Sequence, residues 1–580
     1  MGATSISDGG HRVPMVSIER NSEKNHDRPD VNDHAFVQAG VRQVEAITAV
    51  WSTRMLWTVF VLLYFINNIV AVLQHVQSSL TPYVTSTFAQ HGLLATTGVV
   101  SSIVGGVCQL TIANVIDIWG RGQGYAVMLV LCVVGLIMKA TCDSVEMYAA
   151  AHTLYWVGHI GIGYIITVVL ADMTTLQNRT IMFGINTTPS IVSTFAGPKI
   201  AELFLQKVNF RWAFGGFSII LTAFSLPILA VFFLHQRKAI SLGVIEKEAV
   251  KRSAWGSTVY YFWQFDTVGL FLVTAGWSLL LLPFSIARSA PQGWTAGYII
   301  AMIVLGVLIL IASIYWERSF ARIPFFPWRF LKERTVWASC LLNGLMFMSV
   351  FVWEAYYTSY LQVVHSQSVR DAGYISGTFN VFSSFVGPFV GLMIRYTNDY
   401  KWTSMAGVPF AALGSALLVH FRRPDTNIGF LVMCQVFTGV AIGIWGLTAQ
   451  LALMASVRHQ EVAIALAMSG LFGSIGVSLG FTVAGALWTN IVPANLYEAL
   501  PEDSKNLTSI LFGDIREQLS YPIGSPVRDA VIMAFQDAQH KMVIVGACLV
   551  PFMLACIFVW KKIDLRKRQQ EEGQSKGNVF

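Results

Sequence analysis

The sequence predicts an all-α polytopic membrane protein, because its composition is apolar and its hydrophobic residues form long uninterrupted stretches. Hydrophobic residues make up 54% of the 580 residues, charged residues make up only 12%, and the mean hydropathy is +0.57. A helix needs about twenty apolar residues to cross the hydrocarbon core of a bilayer, where a spanning backbone must satisfy its own hydrogen bonds. About fourteen stretches reach that length, so we expect most of this chain to lie in a lipid bilayer.

The boundaries of the predicted spans follow the apolar residues. In chain order the spans are Leu56–Leu80, Leu93–Val115, Tyr125–Cys142, Tyr148–Leu170, Ile181–Leu203, Trp212–Leu234, Thr267–Ala287, Ala296–Trp316, Val336–Leu361, Ala372–Ile394, Trp402–His420, Ile428–Met454, Val462–Asn490 and Met542–Trp560. The spans that begin at Ile428 and Val462 are longer than a bilayer requires. We expect these two helices to be tilted or to extend beyond the hydrocarbon.

Lysines and arginines near the span ends predict the orientation, because cytoplasmic loops carry an excess of them. They cluster on one side, after the sixth span, after the eighth span and in the C-terminal tail: Arg237, Lys238, Lys247, Lys251, Arg252, Arg318, Arg322, Arg329, Lys332, Arg334, Lys561, Lys562, Arg566, Lys567 and Arg568. That side is predicted to be the cytosol and to hold both termini, with Arg422 and Arg423 on the outer side as an exception. The net charge of +7 then reflects topology, and no nucleic-acid partner is expected.

The N-terminal segment 1–55 is polar and predicts a disordered cytosolic tail. The first apolar helix that follows can act as an uncleaved targeting signal. We expect a multi-pass protein of the plasma membrane, with an internal vesicle or the vacuolar membrane as the alternative.

Motifs of enzymes and of ATP-driven pumps are missing from the sequence. It contains no H-E-x-x-H, no Walker motif and no G-x-S-x-G in a strand–turn–helix setting. The seven cysteines fall in or at the ends of spans without a C-x-x-C pair, and we interpret them as small core residues. No catalytic residue, cofactor or metal site is therefore predicted, and attention turns to polar groups inside the spans, which usually face a cavity.

The ninth predicted span carries an aromatic stripe. Trp353, Tyr356, Tyr357 and Tyr360 recur at i, i+3, i+4 and i+7, so they share one helix face, and Glu354 lies beside them. Such a stripe is either a ligand-facing wall or packing near the membrane boundary. Glu354 is a candidate for proton coupling.

The fourth span places His152, Tyr155 and His159 on one helix face. Histidines can relay protons because their pKa lies near physiological pH, but these two can equally serve as hydrogen-bonding partners between helices. His152 is a candidate for proton coupling, and Tyr155 and His159 are candidates for substrate binding.

Other polar groups add to this set. In the first span, Asn67 and Gln74 share a face and suggest a polar pathway. Glu202 of the fifth span and Asp172 at the cytosolic end of the fourth are further candidates for proton coupling. The alternatives are a snorkelling pair between Glu202 and Lys199, and a solvated position for Asp172.

A long loop on the predicted outer face, residues 491–541, separates the last two spans. Ser525 and Pro526 precede a segment with apolar residues at helical spacing, which predicts a capped amphipathic helix. Asn506 begins an N-x-T glycosylation sequon on the side where glycosylation takes place.

Two motifs resemble those of the major facilitator superfamily. After the second span the chain reads Ala113-Asn-Val-Ile-Asp117-Ile-Trp-Gly120-Arg121-Gly, which resembles the superfamily loop G-x-L-a-D-r-x-G-r-r at Asp117, Gly120 and Arg121. Gly197-Pro198 resembles its G-P motif in the fifth span. The resemblance implies that these five residues take part in gating. The sequence Lys199-Ile-Ala-Glu202 departs from the usual ending of that motif in drug:proton antiporters.

Longer stretches are similar to the fungal siderophore–iron transporters of this superfamily. They are Tyr83-Val-Thr-Ser-Thr-Phe-Ala-Gln-His-Gly-Leu-Leu, Tyr356-Tyr-Thr-Ser-Tyr-Leu-Gln-Val-Val-His365, Arg370-Asp-Ala-Gly-Tyr-Ile and Tyr400-Lys-Trp402. The resemblance implies about 14 transmembrane helices in two six-helix bundles, 56–235 and 336–560, with a helix pair in the connecting region 236–335 and a basic cytosolic tail 561–580. It also implies import of ferric siderophores with protons, by alternating access. The resemblance further implies that the last outer loop takes part in substrate capture. Tyr521 in that loop is therefore a substrate-binding candidate.

The resemblance has one departure. Many relatives carry an acidic residue where this chain has Leu73-Gln74-His75, so proton coupling would rest on Glu354, Glu202, Asp172 or a histidine. A hydroxamate siderophore already fills the coordination sphere of ferric iron, so a carrier for it needs no metal ligands of its own. The alternatives are an exporter or exchanger of drugs, peptides or secondary metabolites, and a membrane sensor without transport.

Overall fold

A computed structural model describes residues 52–87, 94–241, 254–287, 292–321, 330, 332–458 and 461–566. These residues belong to one compact unit within 38–580. The N-terminal tail up to residue 51, most of the loop after the sixth span, and the end of the C-terminal tail lie outside the described residues.

The described residues form helices, turns and short connections, with no strand among them. In chain order the α-helices are α1 (Thr53–Thr87), α2 (Leu94–Ile118), α3 (Arg121–Thr141), α4 (Val145–Asp172), α5 (Leu176–Thr187), α6 (Pro189–Lys207), α7 (Phe210–Ser241), α8 (Ala254–Gln264), α9 (Thr267–Ile286), α10 (Gly297–Ser319), α11 (Arg334–Glu354), α12 (Tyr357–Val364), α13 (Val369–Thr397), α14 (Tyr400–Met405), α15 (Val408–Phe421), α16 (Ile428–Ala455), α17 (Val462–Ala499), α18 (Thr508–Gly513), α19 (Ile515–Ser520), α20 (Pro526–Cys548) and α21 (Val550–Val559). Short 3₁₀ helices lie at Gly293–Thr295 and Glu502–Leu507.

Thirteen helical segments within the described ranges are long and apolar enough to cross a membrane. The predicted fifth span is the exception, because it is built from two shorter helices, α5 and α6, that meet at Thr188. Pro189 begins α6, a position where its missing N–H and fixed φ fit a helix start. With this broken span the predicted number of about fourteen is confirmed.

The segment after Ser525 differs from its prediction. We predicted a separate amphipathic helix there and a last span beginning at Met542, but one helix, α20, runs from Pro526 to Cys548. Ser525 caps it, since its side chain accepts a hydrogen bond from the Arg528 N–H. The last span therefore extends into the segment 491–541 as a continuous helix.

The helices pack into two bundles with a pair between them. In the first bundle α3 packs on α4 and α7, and α1 on α6; in the second α11 packs on α17, α20 and α21, and α13 on α16. The bundles meet along two seams, α2 against α17 and α13 against α5 and α6. The central pair, α9 and α10, attaches through α9 to α2 and α17.

Small residues let the two bundles approach closely at these seams. A Cβ added to Gly106 of α2 would lie 2.2 Å from Ser474 Cβ on α17, and one added to Gly184 of α5 would lie 2.5 Å from the Gly387 carbonyl carbon on α13. Packing of small residues is how helices associate in lipid, where burial of apolar surface gives little driving force. Any space between the bundles is therefore bounded by two tightly packed seams.

Candidate functional site

A cavity of about 280 Å³ lies between the two bundles. Its lining is rich in hydroxyl and amide groups and also contains aromatic rings. The hydroxyl and amide residues are Gln74, Gln77, Ser78, Ser79, Thr81, Thr97, Ser101, Ser102, Ser190, Thr358, Ser376 and Asn380, and the aromatic residues are Trp156, Phe347, Phe351, Phe379 and Phe481. His75, His152 and Glu354 complete its polar side chains, and Glu354 is the one Asp, Glu, Lys or Arg among the described lining residues.

Glu354 lies where a membrane helix is interrupted. The predicted ninth span is divided into α11, which ends at Glu354, and α12, which begins at Tyr357. The Glu354 side chain has no hydrogen bond or ion pair with any described residue, and it lines the cavity from the second bundle. Interrupted helices at the repeat interface are a recurrent feature of transporter binding sites.

The polar face of α1 divides into two parts. Asn67 Nδ2 donates to the Asn186 carbonyl oxygen at 2.6 Å, and Tyr64 Oη lies 2.9 Å from Thr188 Oγ1. These contacts stabilise the interruption between α5 and α6, where backbone groups lack helical partners. Gln74 lies further along α1 and lines the cavity, as predicted for a polar pathway.

The histidine face of α4 also divides. His152 lines the cavity together with Trp156, whereas Tyr155 is fully buried, with its hydroxyl 3.3 Å from His159 Nδ1. Tyr155 and His159 are thus packed inside the first bundle rather than placed in the cavity lining.

Lys139 of α3 is a functional candidate that sequence reasoning missed. It is 0% exposed, its Nζ donates to Gln77 Oε1 at 2.5 Å, and the same nitrogen lies 2.8 Å from His152 Nδ1. Both partners line the cavity. The signal was a lysine inside an apolar span, but its place near the predicted span end is where lysines ordinarily reach the membrane surface.

The aromatic stripe of the ninth span packs inside the second bundle instead of lining the cavity. Tyr356 stacks on Trp488 with ring centroids 4.1 Å apart. The Arg422 guanidinium carbon lies 3.9 Å from the Tyr357 ring centroid and 5.7 Å from that of Tyr360, and Trp353 is also within 5.3 Å. Stacking of a guanidinium on aromatic faces is favourable when both are desolvated.

This packing explains the predicted exception to the charge rule. Arg422 is 0% exposed and belongs to the bundle interior, so only Arg423 remains as an exposed outer arginine in that turn. Burial and the nearby Arg422 guanidinium lower the pKa of His365, in the turn after α12, and so favour its neutral form.

Direct contacts join the bundles at the end of the cavity next to the segment 491–541. Tyr83 of α1 donates its hydroxyl proton to Gln362 Oε1 of α12, and the Ile515 N–H of that segment donates to Ser86 Oγ at 3.3 Å. Arg528 fixes α12 to α20, since its Nη2 donates to the Val363 carbonyl oxygen at 2.7 Å.

Other contacts join the bundles at the opposite end of the cavity. Tyr164 of α4 donates to the Ala463 carbonyl oxygen of α17 at 2.8 Å. Arg179 Nη1 lies 3.9 Å from Met454 Sδ, and Gly184 packs tightly against Gly387. Direct contacts thus join the bundles at both ends of the cavity.

The remaining acidic candidates lie outside the cavity lining. Glu202 accepts from Lys199 Nζ at 2.8 Å, and Asp172 accepts from Arg121 Nε at 3.3 Å. Both pairs are within the first bundle. The outer-loop candidates are also away from the cavity: Tyr521 is half-buried after α19, and Asn506 is exposed in the 3₁₀ helix.

Two of the residues that were predicted to take part in gating, Gly120 and Gly197, occupy positions that restrict their residue type. Asp117 is the penultimate residue of α2, and Gly120 precedes α3 with φ 102°, a left-handed conformation that favours glycine. A Cβ on Gly197 would lie 2.4 Å from His75 Cβ, so α6 presses against α1 there. Pro198 contacts α13, because a Cβ on Gly373 would lie 2.5 Å from Pro198 Cγ.

No group of three or more His, Cys, Asp or Glu side chains in the described ranges is arranged to hold a metal ion. The described lining offers hydrogen-bonding groups, aromatic faces and one carboxylate. These groups suit a neutral or cationic polar ligand.

Comparison with known proteins adds family relationships to this geometry. The sequence model described as Major Facilitator Superfamily matches residues 46–481. The chain is 46% identical to an "MFS siderochrome iron transporter 1" of Ajellomyces capsulatus, over 98% of this chain and 100% of that protein. It is 39% identical to the "Siderophore iron transporter mirB" of Emericella nidulans, over 93% of this chain and 89% of that protein.

Solved structures show the same fold at low identity. A peptide transporter POT in complex with sulfate has a TM-score of 0.54 and 14% identity, covering 90% of this chain and 99% of that chain. A bacterial homologue of the human lysosomal transporter Spinster, inward-facing and occupied, has a TM-score of 0.53 and 12% identity, with the same coverage. At such identities the likeness concerns the arrangement of helices alone.

Proposed function

Because the chain belongs to the siderophore–iron transporter family of the major facilitator superfamily, we propose that it imports ferric siderophores, hydroxamates in particular, by proton symport with alternating access. The names of its relatives support the cargo. The single observation that carries the mechanism is the polar cavity between two bundles that contact each other at both of its ends, since alternating access places the substrate site between two repeats.

The chemistry of the lining supports a hydroxamate complex. Such a ligand already surrounds its iron and presents amides, carbonyls and alkyl arms, which hydroxyl, amide and aromatic side chains can recognise. An anionic ferric complex would have to enter a cavity whose one formally charged lining residue is the carboxylate Glu354. Like charges in a poorly solvated site repel strongly, so neutral or cationic complexes are favoured.

The volume of the cavity supports a further part of the mechanism. At about 280 Å³ it lies just below the range of small-molecule sites, about 300–1,000 Å³. A bulky iron complex therefore binds to a more open conformation, and the two seams separate in turn to admit and release it.

Glu354 is the proposed coupling carboxylate. It faces the cavity without a counter-charge among the described residues, whereas Glu202 and Asp172 are paired with basic side chains. Protonation of Glu354 removes the cost of enclosing a bare carboxylate when the cavity closes.

The proposed topology places both termini and the basic loops in the cytosol and the loop 491–541 outside. The bundles 56–235 and 336–560 are the moving units, the connecting region 236–335 carries the extra helix pair, and the plasma membrane is the proposed location. Asn506 is exposed on the outer loop, where a glycan would fit.

Uptake of a doubly labelled ferric hydroxamate tests the proposal. In fungal cells without other siderophore carriers, we expect the iron and the ligand to accumulate together, with accumulation abolished by a proton uncoupler. Absence of accumulation at normal surface expression would refute import. Efflux from preloaded cells would favour the exporter, and a signalling response without any flux would favour the sensor.

Substitution of Glu354 tests the coupling assignment. We expect Glu354→Gln to reduce accumulation by about tenfold or more while ligand exchange across the membrane is retained, because exchange needs no net proton movement. Glu498→Gln, an exposed carboxylate at the outer end of α17, is the matched control. Wild-type pH dependence of accumulation in Glu354→Gln would exclude Glu354 as the coupling group.

A further inference from the structure

Lys139 is a buried basic residue that has no part in the proposed coupling by Glu354. Its amine is 0% exposed and lies behind the cavity wall, in contact with Gln77 of α1 and His152 of α4. No Asp or Glu among the described residues forms an ion pair with it. An ammonium ion in a membrane interior without a counter-ion is costly, and buried basic groups of this kind mark proton pathways in transporters.

The surroundings of Lys139 contain titratable groups but no acid that neutralises it. From α4 it faces the Tyr148 and Tyr155 rings, with centroids 5.6 and 4.1 Å from Nζ, and from α7 it faces the Phe214 ring at 5.3 Å. Its other titratable neighbours are His152 and His159 on α4, Cys132 on α3, and Cys142 just after α3. The electron-rich rings favour a cation, but the group lacks a partner that would fix its charge permanently.

His152 connects this amine to the cavity. Its Nδ1 lies 2.8 Å from Lys139 Nζ, and its ring also lines the cavity. When the ammonium donates to Nδ1, the proton of the neutral imidazole must be on Nε2. Gln77 of α1 is the second acceptor of Nζ and connects the amine to the first helix.

We propose that Lys139 and His152 form a second proton-binding site, in the first bundle, which acts together with Glu354 in the second. This inference rests on the proposed proton symport. In the outward-facing carrier a proton from water binds His152 Nε2 while the Nδ1 proton passes to the amine, which gives an ammonium beside an Nε2–H imidazole. In the inward-facing carrier the ammonium returns a proton to Nδ1 and Nε2 releases its proton to water. One proton has then entered and one has left, and the amine and the Nδ1–H imidazole of the start are restored.

Two coupled protons make a quantitative prediction. The experiment uses a neutral ferric siderophore, with the membrane potential clamped at zero. One unit of pH gradient then supplies about 1.4 kcal/mol per coupled proton, which corresponds to a factor of ten. Each coupled proton therefore multiplies the limiting ratio of inside to outside siderophore concentration by about tenfold per unit of pH gradient. Wild-type protein in proteoliposomes is expected to reach about a hundredfold at one unit of gradient, and Lys139→Gln about tenfold.

Three variants separate the inference from a structural role and from the proposed function. For each one, both ligand exchange and the dependence of accumulation on the pH gradient are measured. Lys139→Gln retains a hydrogen-bonding side chain, so ligand exchange should persist while the dependence of accumulation on the pH gradient becomes shallower. Lys139→Arg keeps a positive charge that is not released in proteins, and it should show the same shallower dependence. Lys541→Gln, an exposed lysine paired with Asp537, is the matched control and should resemble the wild type.

The possible outcomes have distinct meanings. Accumulation by Lys139→Gln equal to the wild type at every gradient overturns the second site and leaves the proposed function intact. Full accumulation by Lys139→Arg also overturns it, because a fixed charge then suffices. Wild-type protein that exchanges ferric siderophore without accumulating it refutes symport, and wild-type protein that does neither refutes the proposed function.

Discussion

Three basic side chains that are no more than 2% exposed are accommodated in three different ways. Lys139 has an amide and an imidazole, Arg422 lies over aromatic rings, and Arg528 donates to main-chain carbonyl oxygens of α12. The chemistry around each side chain indicates its role. A fixed guanidinium among rings or carbonyls stabilises a structure, whereas an amine beside an imidazole can exchange a proton.

The first prediction at this scale concerns the aromatic stripe. Tyr357→Ala removes a fully buried ring beneath Arg422 and is expected to destabilise the protein by about 3 kcal/mol or more. Tyr357→Phe, the matched control, keeps the ring. Thermal unfolding and ligand affinity of the purified variants separate two roles. A loss of affinity in Tyr357→Ala without a fall in melting temperature would show a direct ligand contact instead of packing.

Sequence reasoning succeeded or failed on single residues for physical reasons. Gln74, His152 and Glu354 were singled out because polar groups in apolar helices need a cavity or a partner, and the structure places all three in the lining. The same rule selected Asn67, whose partner is the interrupted backbone at Asn186. Lys139 was missed because a lysine near a span end normally extends to water, and the direction of its side chain depends on tertiary packing.

At the scale of helices, the apolar stretches predicted the spans well, but the interruptions within them were not predicted. The division between α5 and α6 coincides with Pro189, a local signal, yet Pro198, Pro227 and Pro388 lie inside continuous helices. A proline therefore does not by itself decide where a membrane helix ends. Neighbouring side chains such as Tyr64 and Asn67 supply the hydrogen bonds that make the break at Thr188 stable.

A second prediction concerns the outer seam between α6 and α13. Because a Cβ on Gly373 would lie 2.5 Å from Pro198, Gly373→Leu should hold the outer ends of these helices apart. We expect transport to be lost, and binding from outside to weaken as well because Gly373 also lines the cavity. Gly216→Leu, at a position with open space around the Cβ, should transport normally. Normal transport by Gly373→Leu at normal expression would show that this contact is not part of the gate.

At the scale of the whole molecule, contacts of similar kind join the bundles at the two ends of the cavity. A tyrosine hydroxyl crosses between the bundles at each end: Tyr83 to Gln362 at the end that the proposed topology places outside, and Tyr164 to Ala463 at the other. Loss of either contact shifts the population toward the conformation that is open on that side.

Thiol labelling of a cavity residue measures this shift. In a Cys548→Ala background, which removes an exposed thiol, Ser376→Cys places a reporter in the lining. Adding Gln362→Ala should raise its labelling rate from outside by about fivefold, the effect of one hydrogen bond of about 1 kcal/mol, and adding Tyr164→Phe should lower it similarly. Equal rates in all three proteins would show that neither contact controls access.

The size of the cavity has a consequence for inhibition. In the proposed mechanism the empty carrier returns through a closed conformation, and the space of about 280 Å³ between the bundles is small enough for that return without cargo. The loaded carrier must close around a much larger iron complex. Its closed conformation therefore differs in shape from that of the empty carrier. An iron complex with a rigid appendage can then satisfy the open site yet prevent closure, holding the carrier loaded and facing outward. Such a conjugate would block iron supply without ever entering the cell.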